Sequence, residues 1–99
     1  MKDLWIGRVE ILTEPAEFGD TKAFTNVVAR AENLADFRQI VSTVCEKYDW
    51  SLIGVERCNL ASTVADITNE ELLEALERAK DYPEACIFTT LYYYSSKPL

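Results

Sequence analysis

Apolar and polar residues alternate from Leu4 to Thr13, with Trp5, Gly7, Val9 and Ile11 on one side and Arg8 and Glu10 on the other. A period of two in a run rich in branched side chains predicts a half-buried strand. Glu14 to Lys22 holds Pro15, Gly19 and Asp20, residues with turn-forming mechanisms, in a connection longer than a tight hairpin loop. Ala23 to Ala31, carrying Phe24, Val27 and Val28, predicts a second strand antiparallel to the first. The period then changes. Leu34, Phe37, Val41, Val44, Cys45 and Tyr48 recur at spacings of three and four, the apolar stripe of a helix. Asn33 is placed to cap it, Asp36 sits in its first turn where the dipole favours an anion, and Asp49 is a turn residue after its end.

Trp50 to Leu60 predicts a third strand, with Gly54 marking a bulge. Thr68, Asn69, Glu70 and Glu71 fit a capping box, Thr68 bonding forward and Glu71 reaching back. Leu72, Leu73, Leu76 and Ala79 form the buried face of the helix that follows, and Tyr82-Pro83 stops it. Ala85 to Tyr94 predicts a fourth strand, with Ile87 and Leu91 on one face and Cys86 and Phe88 on the other, covered on both sides. Residues 95–99 are expected to form a loose tail.

The order β-β-α-β-α-β with two amphipathic helices predicts an α+β domain: a four-stranded, mainly antiparallel sheet with both helices on one face. In element order and size it resembles ferredoxin-like and related split α/β sandwiches, folds that host many functions. The 99 residues make one domain, and the hydrophobic share of 48% against 27% charged is ordinary for a globular chain. Met1 to Leu12 is interrupted by Asp3, Arg8 and Glu10, so no signal peptide is expected there, and no apolar run is long enough to span a membrane. Three cysteines, Cys45, Cys58 and Cys86, lack the spacing of a disulfide framework or a zinc site; a reduced, cytoplasmic protein is expected.

Charge narrows the chemistry further. There is no histidine, and seventeen acids stand against ten Lys and Arg. Ser-His and Cys-His nucleophiles are therefore excluded. Cys45 and Cys86 read as core thiols, while Cys58 and Arg57, adjacent on a strand, point to opposite faces. Glu10 and Glu56 read as the polar members of strands. Glu14, Glu17 and Asp20 lack the spacing of a calcium loop, and Gly7, Gly19 and Gly54 form no phosphate loop. Neither a cofactor nor a metal is expected, and no enzyme activity. The bases Arg8, Lys22, Arg30, Arg38, Lys47 and Arg57 are scattered, which argues against nucleic-acid binding.

Two features point to a partner. Glu70, Glu74, Glu77 and Asp81 follow at spacings of four, three and four, on one face of the second helix. Between Asp66 and Glu84 seven acids meet two bases, so the segment carries most of the chain's net charge of −7. Arg78 can pair back to Glu74, but Asp81 faces the unfavourable pole of the helix dipole. The ordinary reading of such a stripe is a solvated face; the functional reading is a docking surface for a basic protein, where charge speeds association and sets specificity. The run Tyr92, Tyr93, Tyr94 either closes the core or presents Tyr92 and Tyr94 to a partner or a second copy of the chain.

The expectation is thus a non-catalytic protein-binding domain. In size and charge it resembles small acidic immunity proteins and inhibitors that neutralise basic partners. The alternative is a small-molecule-binding or regulatory domain with a pocket lined by Trp5, Phe24, Trp50 and Phe88.

Overall fold

The computed structural model describes residues 2–14, 21–64, 67, 69–82 and 84–95. Strands β1 (Asp3–Glu14) and β2 (Thr21–Ala31) form an antiparallel hairpin, in register from Asp3↔Ala31 to Leu12↔Lys22. Most of the connection expected between them, and residues 96–99 of the expected tail, lie outside the described residues; Ser95, the first residue of that tail, is instead strand-paired with Thr21. Helix α1 (Leu34–Lys47) follows, then β3 (Ser51–Leu60), a 3₁₀ turn at Ala61–Thr63, helix α2 (Glu70–Asp81), β4 (Cys86–Phe88) and β5 (Tyr92–Ser95). The strand order is β3-β1-β2-β4, with β5 also paired to β2, an order consistent with a split α/β sandwich. The α+β class and the antiparallel sheet are as expected.

The caps of α1 explain its limits. Asn33 Oδ1 accepts the Asp36 amide at 2.8 Å, and Asp36 Oδ2 accepts the Glu32 amide at 2.9 Å, so side chains satisfy orphan donors at the N-terminus. At the other end Asp49 adopts φ 59°, Asp49 N–H donates to Glu46 O and Trp50 N–H donates to Cys45 O. That is a Schellman-type stop with aspartate in the left-handed position, one of the few side chains that tolerate it.

The seating of the helices departs from expectation: they lie on opposite faces of the sheet. Val9 and Ile11 of β1 and Ala23, Val27, Ala29 and Ala31 of β2 pack with Phe37, Val41 and Cys45 of α1. Leu4, Ile6, Val28 and Ile87, whose parity along the strands is the opposite one, pack with Ala75, Ala79, Leu72 and Leu76 of α2. The adjacent pair Val27 and Val28, both fully buried, shows the division most directly. The physical reason is that this end of β1 and β2 is apolar on both sides, so each side needs its own cover.

The fourth strand is also not a single covered element. It is an edge, split into β4 and β5. Between the pairs Phe24↔Tyr92 and Val27↔Phe88, β2 supplies Thr25 and Asn26 while the edge supplies Thr89, Thr90 and Leu91. This one-residue bulge reverses the faces of the side chains beyond it. Leu91 accordingly joins the α1-side core, away from Ile87. Hydroxyls close the gap: Thr25 Oγ1 donates to Thr89 O at 3.1 Å, and Asn26 N–H donates to Thr89 Oγ1 at 3.3 Å. On the opposite edge, β3 slips register between Arg8 and Val9 and between Glu10 and Ile11, on either side of the expected irregularity at Gly54.

Candidate functional site

Helix α2 starts at Asn69, whose side chain accepts the Leu72 amide at 3.2 Å. Asn69 holds the cap position assigned to Thr68, which lies outside the described residues. Glu71, whose expected partner Thr68 is outside the described residues, bonds elsewhere. It reaches sideways to the edge bulge, where Thr90 N–H donates to Glu71 Oε1 at 2.7 Å and the Thr90 hydroxyl donates to Oε2. The bulge is what makes this possible, since it frees the Thr90 amide from the ladder. Those Thr90 bonds hold the Glu71 carboxyl below the usual carboxylate range.

The helix meets the sheet through Ala75 and Ala79, 3% and 1% exposed. Small side chains there let the helix approach closely, with Leu72 and Leu76 half-buried at the flanks. Leu73, expected inside, is 42% exposed. It lines a groove of about 370 Å³ with Leu4, Ala61, Leu76, Glu77 and Lys80. Arg30 of β2 reaches under the helix, and its Nη2 donates to Ala79 O at 3.4 Å. A cation at the C-terminal carbonyls offsets the negative pole that Asp81 faces.

The carboxylates Glu70, Glu74, Glu77 and Asp81 are all exposed. Glu77 pairs with Lys80 at 3.7 Å, a contact between two mostly solvated side chains. The expected Glu74–Arg78 pair is not formed. Glu70, Glu74 and Asp81 make no ion pair among the described residues. Tyr92 is 59% exposed and pairs with Phe24 on the α2 side of the sheet, two residues from the Thr90 that Glu71 grips. The first turn of α2 and Tyr92 therefore share one side of the molecule. Tyr93, 60% exposed, is directed to the other face with Ala23. The side chain of Tyr94 lies outside the described residues, as does the acidic group Glu14, Glu17 and Asp20.

The pocket imagined between sheet and helices does not form. Trp5, Trp50 and Phe88 pack against the α1-side core, with Trp50 stacked on Tyr48 at 4.9 Å between ring centroids. Phe24 is on the other face, its ring under the Arg8 guanidinium at 5.0 Å. The sheet separates them.

All three thiols are free. Burial pushes Cys45 and Cys58 up to about 11 and Cys86 up to about 12, so none is held as a thiolate. Among the described residues no cluster of His, Cys, Asp or Glu could hold a metal ion, and no helix is long and apolar enough to cross a membrane. Compared with protein-family models, with curated proteins and with solved structures, the chain matches none.

Proposed function

We propose that this chain is a small, non-catalytic protein-binding domain whose acidic helix docks a basic partner, in the manner of an inhibitor or immunity-type protein. One observation carries the reading: Glu70, Glu74 and Asp81 stand exposed on one helix without an ion pair among the described residues. Like charges at helical spacing cost a few tenths of a kcal/mol per pair, so the stripe adds nothing to the stability of the isolated fold. A cationic surface laid against it removes that repulsion. Exposed Leu73 and Tyr82, on and just beyond the same helix, supply apolar and aromatic contact beside the charges, the mixture found where anchors sit within a polar rim.

A photo-crosslinking residue at Leu73, with a matched one at Arg38 on α1 as control, captures the partner from native lysate. The association rate of that partner is then measured between about 0.01 M and about 0.15 M salt, where the screening length shrinks from about 30 Å to about 8 Å. The rate falls steeply with salt, and the double variant Glu70→Lys/Glu74→Lys slows it at low salt. A rate indifferent to both changes contradicts the reading.

A further inference from the structure

Among the described residues the α2 side of the sheet is only partly covered, and its open part carries two arginines. Arg8 and Arg57 are direct cross-strand partners on β1 and β3. Like charges so placed repel. The pairing is relieved at Arg8, whose Nε lies 3.0 Å from Glu56 Oε2 and whose guanidinium sits over Phe24. The Arg57 guanidinium has no ion pair or hydrogen bond among the described residues. Asn26 stands opposite Arg8 on β2, and Asn59 is two residues from Arg57, hence on the same face of β3. With Ile6 and Val64 these side chains line a hollow of about 220 Å³ that has no acid in its wall among the described residues. Glu56 stands at its rim, held by Arg8, and Glu10 lies in the next row of the sheet toward Phe24.

We infer that this hollow binds a small polar monocarboxylate, a short hydroxy or keto acid, gripped by Arg57. The guanidinium fork matches a planar carboxylate in bidentate fashion. The two asparagine amides each donate and accept, which suits a hydroxyl or carbonyl on the adjacent carbon. The volume of about 220 Å³ suits a ligand smaller than drug-sized molecules, whose sites run from about 300 to 1,000 Å³. The net charge of −7 repels a dianion such as phosphate about twice as strongly as a monocarboxylate. The site shares no residue with the acidic face of α2 and stands independently of the partner reading.

The test is a titration of the ¹⁵N-labelled chain with glycerate, with pyruvate and with inorganic phosphate, followed by amide chemical shifts. One of the two acids produces saturable shifts centred on Asn26, Arg57, Asn59 and Val64, and phosphate binds more weakly. Arg57→Gln weakens that binding about tenfold or more, the loss of one charge-assisted contact. Asn59→Ala weakens it less, and Arg38→Gln on α1 leaves it unchanged. Arg57 and Asn59 are exposed, so both variants retain dispersed spectra. No saturable shift with either acid, equal affinity in Arg57→Gln, or tighter binding of phosphate overturns the assignment.

Discussion

Gly7 offers the sharpest test of how α1 is seated. A β-carbon built on Gly7 would lie 2.6 Å from Phe37 Cε1 and 2.7 Å from Cζ, with the Arg57 carbonyl at 3.3 Å. Carbon atoms rest at about 3.5–4.0 Å, so the Phe37 ring has to withdraw by about an ångström. It has nowhere to go, being fully buried at the centre of the α1-side core. Overpacking of this kind costs about 1–3 kcal/mol, against a gain of about 0.5–1 kcal/mol for replacing glycine within a strand. Taking the middle of both ranges, Gly7→Ala is expected to destabilise by about 1 kcal/mol, which for a domain of this size lowers Tm by about 4–8 °C. Phe37→Leu alone costs less than the about 3–5 kcal/mol of a full truncation to alanine. In the double variant the new methyl occupies space the ring has left, so the two losses do not add; the coupling should favour the pair by about 1 kcal/mol or more. Urea and thermal unfolding followed by far-UV circular dichroism measure all four proteins. A neutral Gly7→Ala, or strictly additive losses, refutes the contact between this strand and α1.

Three further outcomes are expected. Glu71→Gln is less stable than wild type at neutral pH. Because the folded carboxyl is depressed, its contribution is complete above the ordinary value of 4.5 and disappears as pH falls through the folded value, so the two unfolding curves converge in acid; a gap that persists there contradicts the Thr90 latch. Thr25→Val removes the hydroxyl that donates to the Thr89 carbonyl and costs about 1 kcal/mol, with faster amide exchange at Thr89 than at Val9 as the local readout. The native thiols react slowly with iodoacetamide at pH 8 and rapidly once urea unfolds the chain, since burial keeps all three protonated; fast labelling of native Cys58 contradicts this.

The hairpin and α1 were legible because their signals are local. Period-two alternation marks β1, and Asn33, Asp36 and Asp49 carry the chemistry of the α1 ends in their own side chains. What was not legible depends on neighbours. Leu4, Ile6 and Val28 interrupt the polar side of their strands, a sign that this face is covered too, but only strand pairing shows that α2 is the cover. The bulge at Thr89–Leu91 leaves no mark in a run of β-branched and apolar residues, because it exists only as a mismatch with β2. Glu71 follows from that: its bonds to Thr90 depend on the amide that the bulge frees. The outward set of carboxylates on α2 was legible, being a matter of helical period alone. The grouping of Asn26, Arg57 and Asn59 was not, since it requires the register of three strands.

A partner seated on the carboxylate face of α2, as proposed, leaves its footprint there. Amide hydrogen exchange on the complex with the captured partner tests it most directly. Protection concentrated on Glu70–Asp81 and on Tyr92, with α1 and β3 unchanged, is the predicted footprint; protection centred on α1 or β3, with α2 exchanging as in the free protein, contradicts it.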